Sequence, residues 1–238
     1  MTEMRSLSIL VHGPSKVGKS WLGDSTPAPR LILDAEGGSR FTPSRKVVWD
    51  PVTQLPPEND GSWDTCIVYV KDYETVTRAF DQLNQGEHPF KSVVLDSISE
   101  IQQRCVDSIA GIDIMKIQDW GTLLRKVSDT VRRFRDLTTH ATRPLNAVVL
   151  IAMTREVSGK WKPHVQGQLM TVLPYYMDVT GYLYLQKTDD GNSLRRLLVS
   201  PHDQFEAGER VGGRLGAVVD NPSVSDMLDT IYGKVNNG

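Results

Sequence analysis

Eight residues near the start of the chain have the spacing of a phosphate-binding loop. They read Gly13-Pro14-Ser15-Lys16-Val17-Gly18-Lys19-Ser20, with glycine first and sixth and a Lys-Ser pair at the end. Glycines let backbone N–H groups turn toward phosphate oxygens, while the lysine reaches the β- and γ-phosphates and the serine hydroxyl binds Mg²⁺. This P-loop predicts binding of a nucleoside triphosphate, ATP, with Mg²⁺.

Two carboxylates are candidates for the remaining chemistry. Asp96 ends an apolar strand, a position from which it can hold Mg²⁺ together with Ser20. Residue 97 is a serine, so the glutamate that follows this aspartate in many helicase-type ATPases is missing. Glu36, just after the strand that follows the P-loop helix, is therefore our candidate to orient or deprotonate the attacking water, and Glu100 is its rival.

Strand and helix patterns alternate through most of the chain. Apolar runs predict strands at 6–12, 30–34, 66–70, 92–96 and 147–153. Helical patterns lie between them, and a last helix follows Ser223. Asp189-Asp190-Gly191-Asn192 predicts a hairpin turn between 178–187 and 193–200. The expected fold class is α/β: a mostly parallel central sheet with helices on both faces and a C-terminal β-hairpin.

One long helix and one irregular segment stand out in this pattern. The apolar stripe of the helix is predicted to be core, and its residues are Trp120, Leu123, Leu124, Val127, Val131 and Phe134. Its other side is basic, with Arg125, Lys126, Arg132, Arg133 and Arg135. Residues 37–64 are rich in proline, and we expect an irregular insertion of the kind that is often mobile.

Length and composition limit the possible classes. The 238 residues suit one α/β domain over 1–238. No apolar run of membrane-spanning length and no signal peptide occur, which predicts a cytoplasmic protein without a membrane partner. A net charge of −2 argues against coating of nucleic acid by charge alone but permits a local basic groove. The five histidines are scattered and are expected to be surface or packed residues.

The motifs together resemble the RecA-like ATPase core. Asp34-Ala35-Glu36, Leu95-Asp96-Ser97 and the P-loop are most similar to the phage RecA-like single-strand annealing proteins (the Sak-four group) and the related P-loop phage nucleotide-binding proteins. Looser similarity extends over 118–121 and 163–185. The resemblance implies a RecA-like P-loop NTPase core, self-assembly into rings or filaments, and single-stranded DNA as partner in phage recombination or replication, by annealing or strand exchange. A single-strand-binding protein is a further partner that it implies.

Two loops, 156–168 and 206–214, are candidates to serve such a function. The resemblance makes Thr154, at the end of strand 147–153, a sensor of the γ-phosphate. It also makes Arg210 and Arg214, in the glycine-containing loop 206–214, candidates to reach the γ-phosphate of a neighbouring subunit. After Arg155, the loop 156–168 holds two lysines around one aromatic residue, namely Lys160, Trp161 and Lys162. Cations follow phosphates and an aromatic ring stacks on a base, so this loop suits single-stranded DNA. The alternative is a solvated loop with the tryptophan packed down.

Other classes of P-loop protein remain as alternatives. A kinase of a nucleotide or small molecule needs a basic lid over the phosphates, for which Arg132, Arg133 and Arg135 are the available residues. A non-catalytic nucleotide switch or scaffold is the third reading. No asparagine is followed by lysine, which argues against a Ras-like GTPase, and Pro14 stands where ParA-type ATPases carry an extra lysine.

Overall fold

A computed structural model describes residues 5–234. The strands are β1 (Leu7–His12), β2 (Arg30–Asp34), β3 (Lys46–Val48), β4 (Thr65–Tyr69), β5 (Ser92–Asp96), β6 (Ala147–Ala152), β7 (Thr154–Val157), β8 (Lys160–Pro163), β9 (Val179–Lys187), β10 (Ser193–Leu198), β11 (Gly208–Glu209) and β12 (Val218–Asp220). The helices are α1 (Lys19–Gly23), α2 (Tyr73–Gln85), α3 (Ile98–Ala110), α4 (Ile117–Asp136), α5 (Leu169–Tyr176) and α6 (Val224–Tyr232).

One mixed sheet organises the described residues. Its order is β12-β10-β9-β1-β6-β5-β2-β4-β3, and β11 pairs with β9. Neighbouring strands from β9 through β3 are parallel, whereas β10 and β12 join antiparallel at one end. The carboxyl ends of β1, β6, β5 and β2 therefore meet at one edge of the sheet, where ligands bind in open α/β folds.

Each face of the sheet is covered by helices. The larger core packs α2, α3, α4 and α5 against one face, and the smaller core packs α1 and α6 against the other. The side chains of Asp72 and Ser223 cap α2 and α6 by accepting the N–H groups of Thr75 and Asp226. The hairpin of β9 and β10 also forms. The predicted fold class, a mostly parallel α/β sheet with helices on both faces, is confirmed.

The segment 37–64 consists mainly of turns, bends and irregular backbone. It also contributes the short strand β3, which pairs with β4 at the edge of the sheet. Trp49 and Trp63 are buried, and their rings lie 6.0 and 6.1 Å from that of Phe90. Trp49 and Trp63 therefore attach both ends of the segment between them to the hydrophobic core.

Two expectations need correction. Trp120, predicted to be core, is 44% exposed, because it lies in the first turn of α4 and the buried stripe of this helix begins only at Leu123. The expected loop 156–168 is instead largely a β-hairpin, in which β7 and β8 pair antiparallel around Ser158 and Gly159. Within residues 5–234, no helix has both the length and the apolar character needed to cross a membrane.

The buried His88 predicts a specific sensitivity to acid. Burial, aided by the charges of Arg143 and His140, lowers its pKa from 6.5 to about 4. His88 therefore binds a proton below pH 6.5 in the unfolded chain but only below about pH 4 in the folded chain. Between these two pH values the unfolded state binds more protons, so the free energy of unfolding falls as the pH drops. For this one residue the loss at pH 5 is about 2 kcal/mol.

We expect His88→Phe to reduce the loss of stability between pH 7.5 and pH 5 by about this amount. Urea unfolding of the variant and the wild type at both pH values measures the difference. His202→Phe changes an exposed histidine and serves as the control. An unchanged pH dependence in His88→Phe would show that His88 is not buried in its neutral form.

Candidate nucleotide-binding site

The P-loop joins the carboxyl end of β1 to the first turn of α1. Gly18 precedes that helix with a φ of 96°, a left-handed conformation that favours glycine. A Cβ on Gly13 would lie 2.2 Å from the carbonyl oxygen of Leu183 on β9, so this position has no room for a side chain. Both glycines of the motif are thus required by the backbone path, and the loop ends at a helix N-terminus that favours anions.

Lys19 lies between the loop backbone and two carboxylates. Its Nζ donates to the carbonyl oxygens of Gly13 and Pro14 at 3.0 and 2.7 Å. Burial lowers the pKa of Lys19, and the charges of Glu36 and Asp96 oppose that shift. The loop and the carboxylates predicted from separate parts of the sequence are therefore neighbours in space.

Asp96 and Ser20 form the candidate Mg²⁺ site. Asp96 lies at the end of β5, in register with Asp34 at the end of β2. Burial raises the pKa of Asp96 to about 6; the charges of Asp34 and Glu36 raise it as well, while a hydrogen bond with Ser20 lowers it. The carboxylate of Asp96 and the hydroxyl of Ser20 are hard oxygen ligands in a negatively charged site, which fits Mg²⁺. Mg²⁺ takes few protein ligands and completes its coordination shell with water and phosphate oxygens.

Glu36 is held by partners on two strands. Asp34 accepts the backbone N–H groups of Glu36, Gly37 and Ser39 at 3.1, 2.7 and 3.0 Å, which fixes the turn after β2. The Ser97 hydroxyl donates to the Glu36 carboxylate. Ser97 thus occupies the position where helicase-type ATPases carry a glutamate, and it binds a glutamate supplied by the next strand instead. The rival Glu100 pairs with Arg104 at 3.1 Å, one helical turn away.

Thr154 is connected to the P-loop through a buried histidine. His12, the last residue of β1, lies 3.0 Å from the Thr154 hydroxyl and donates from Nε2 to the Glu206 carbonyl oxygen at 2.7 Å. Burial lowers the pKa of His12 to about 4, so the ring is neutral at pH 7. Thr154 begins β7 instead of ending the preceding strand, and its contact with His12 places the start of the hairpin beside the carboxyl end of β1.

The four residues predicted to bind DNA all lie on the β7–β8 hairpin. Arg155 is exposed, whereas Lys160, Trp161 and Lys162 are partly buried. Lys160 pairs with Glu206 at 3.5 Å. The backbone N–H of Trp161 donates to the carbonyl oxygen of Gln204 at 2.8 Å, so β8 is attached to the same segment, 204–206, whose Glu206 carbonyl oxygen binds His12. Their role in binding stays a prediction.

Arg210 and Arg214 lie away from the P-loop of their own chain. Arg210 donates to the carbonyl oxygens of Tyr175 and Met177 at 2.7 and 2.5 Å and lies 3.7 Å from Asp178. Asp178 bonds to Ser8, near the amino end of β1, whereas the P-loop follows its carboxyl end. Arg214 donates to the Ile231 carbonyl oxygen at the end of α6. A role in the same subunit is thus excluded for these conformations, and only a role toward a neighbouring subunit stays predicted.

Sequence reasoning missed three residues that border the site: Ser97 as the partner of Glu36, His12, and Arg195. His12 directly precedes the motif, which is the one signal that pointed to it. Arg195 comes from β10, and its Nε donates to the Val17 carbonyl oxygen at 2.8 Å. A contact between residues this far apart in the chain leaves no local pattern.

The similarity of this chain to known proteins identifies its family. Among solved structures, an ATPase from the type III secretion system of pathogenic bacteria is similar with a TM-score of 0.47 and 12% identity, covering 75% of this chain and 52% of that one. The chain spans about half the length of that ATPase, and so distant a likeness carries no argument about function. None of the curated proteins matches the sequence. A family model described as an AAA domain matches residues 5–211, and the chain therefore belongs to this family of P-loop ATPases.

Proposed function

We propose that this protein hydrolyses ATP with Mg²⁺ and couples that cycle to single-stranded DNA, in phage recombination or replication, by annealing or strand exchange. The observation that carries the proposal is the contact of His12 with Thr154, which joins the end of β1 to the base of the basic hairpin. Any movement of the P-loop on nucleotide binding acts on β1 and thereby on the hairpin.

The site residues divide the chemistry of ATP hydrolysis among them. The P-loop N–H groups and Lys19 bind the β- and γ-phosphates, and Ser20 with Asp96 holds Mg²⁺, which neutralises charge on the phosphate oxygens. Glu36 accepts the proton of the attacking water or orients that water. The hydrogen bond from Ser97 aims the Glu36 carboxylate toward Lys19 and the P-loop.

The hairpin carries the cationic and aromatic side chains that suit binding of single-stranded DNA. Arg155 is exposed and makes no ion pair among residues 5–234, so its charge is free for a phosphate. Trp161 has an accessible part for a base, and Lys162 adds a second cation. Backbone charge contacts and base stacking together give binding without sequence preference.

We expect Arg155→Ala and Trp161→Ala to weaken binding of a fluorescent single-stranded oligonucleotide. Loss of one stacked base costs about 1–3 kcal/mol, roughly 5- to 150-fold in Kd. Loss of one phosphate contact lowers the slope of log K against log salt by about 0.7. Arg143→Ala is the matched control, because Arg143 is an exposed arginine just before β6, at the opposite edge of the sheet. If all three variants had the same Kd for the oligonucleotide, the hairpin would not be part of the DNA-binding site.

Self-assembly into a ring or filament is part of the proposal. The connection before α4 and the first turn of α4 together expose four large apolar side chains: Ile112, Ile114, Ile117 and Trp120. Apolar patches of this kind mark interaction sites. Arg210 and Arg214 would then serve a neighbouring subunit's γ-phosphate, with a single-strand-binding protein as a further partner in the host cytoplasm. Sedimentation velocity with and without ATP and oligonucleotide tests the assembly, and a monomer under all conditions would refute it.

The kinase alternative is disfavoured by the positions of its lid residues. Arg133 pairs with Asp81 at 3.2 Å and covers the ring of Phe80. Arg135 pairs with the neighbouring Asp136, and Arg132 lies over Tyr176. These arginines hold α4 against α2 and α5 and do not cover the P-loop.

A further inference from the structure

The outer side of the P-loop is covered by Arg195. Besides the bond from its Nε to Val17, its guanidinium lies flat against Gly18: the Cζ, Nε and Nη2 atoms are each 2.5 Å from the place where a Cβ on Gly18 would stand. Any side chain at Gly18 would displace this guanidinium. Within residues 5–234, Arg195 forms no ion pair, so no carboxylate offsets its charge.

The sheet order shows which end of a bound nucleotide Arg195 faces. Asp96 and Glu36 follow β5 and β2, which lie on one side of β1, and they mark the end where Mg²⁺ and the γ-phosphate are expected. Arg195 stands on β10, on the other side of β1. A nucleotide with its γ-phosphate toward the carboxylates extends its ribose and base away from them, toward β9 and β10.

Beside Arg195 the sheet presents an apolar surface. Leu185 on β9 is the cross-strand partner of Arg195, so both side chains lie on the same face, and Leu185 is 47% exposed. A planar cation next to an exposed aliphatic side chain suits the flat face of a nucleobase, which stacks on guanidinium groups and packs on apolar ones.

We propose that Arg195, together with Leu185, binds the nucleoside end of ATP, the base and ribose. The inference rests on the proposed binding of ATP and adds a second contact region to it. Arg195 then contributes equally to ATP and ADP affinity, because both carry the same nucleoside.

The test compares nucleotides with a ligand that has phosphates but no nucleoside. We expect Arg195→Ala to weaken ATP and ADP binding by about tenfold each in isothermal titration calorimetry, with inorganic tripolyphosphate unaffected. Leu185→Ser, at an exposed position, is expected to act in the same direction. Saturating ATP should restore the wild-type kcat, since the change lies in KM.

Arg196→Ala is the matched control for the loss of one arginine from β10. Arg196 is the next residue along β10, points to the opposite face of the sheet and pairs with Asp220 at 2.8 Å. The ATP affinity of Arg196→Ala should therefore equal that of the wild type. Equal weakening of ATP and tripolyphosphate in Arg195→Ala, or unchanged ATP affinity, would overturn the assignment. Failure of the wild-type protein to bind ATP would refute the proposed function itself, which is a different result.

Discussion

Replacement of Lys19 by alanine is expected to abolish ATP binding. Lys19 is the buried cation of the P-loop, and its Nζ lies on the two carbonyl oxygens at the start of the loop. Phosphate oxygens would gain charge-assisted hydrogen bonds from it, each contributing about 1.5–3 kcal/mol. Two such bonds correspond to a loss of affinity on the order of a hundredfold or more.

Titration calorimetry of the variant with ATP and Mg²⁺ measures this loss. Lys91→Ala removes a lysine at an exposed position before β5, at the opposite edge of the sheet, and should bind ATP as the wild type does. Thermal unfolding of both variants checks that each of them is folded at the temperature of the titration. Tight ATP binding by Lys19→Ala would show that the P-loop is not the nucleotide site.

Replacement of Glu36 by glutamine is expected to leave ATP binding intact and to stop hydrolysis. Glutamine keeps the size of the side chain and can still accept the Ser97 hydrogen bond, but it cannot take a proton from water. General-base catalysis contributes about 10²- to 10⁴-fold, so kcat should fall by that factor with little change in Kd.

Glu100→Gln is the control for this experiment, because Glu100 is the rival candidate for the base and is paired with Arg104. Its kcat should match the wild type in a phosphate-release assay. The reverse pattern, with Glu100→Gln inactive and Glu36→Gln active, would move the catalytic role to α3. Normal turnover in both variants would leave the reaction without an assigned base.

The parts of the site predicted from the sequence are those with local signals. The P-loop has fixed spacing within eight residues, and apolar strands ending in Asp34 and Asp96 follow a pattern that the sheet preserves. Once the strands were expected to be parallel, the meeting of Glu36 with Asp96 at one edge followed from topology. The hairpin of β9 and β10 was predicted because its turn has a distinctive composition.

The remaining features depend on contacts between distant residues. Ser97 and Glu36 are 61 residues apart, and Arg195 and Val17 are 178 apart, so neither pair leaves a pattern in the sequence. Trp120 fits the helical stripe, yet it is exposed because the core ends before the first turn of α4. Arg210 and Arg214 lie in a glycine-rich loop whose attachment to the amino edge of the sheet only the fold reveals.

Steady-state ATP hydrolysis with and without single-stranded DNA tests the coupling of the P-loop to the hairpin most directly. We predict that DNA raises the rate of the wild-type protein and that Glu36→Gln stays about 10²- to 10⁴-fold slower than the wild type in either condition. We also predict that Arg155→Ala combined with Trp161→Ala keeps the basal rate but loses the stimulation. A wild-type rate that single-stranded DNA leaves unchanged, at concentrations that saturate binding, would contradict the proposal that this ATPase acts on DNA.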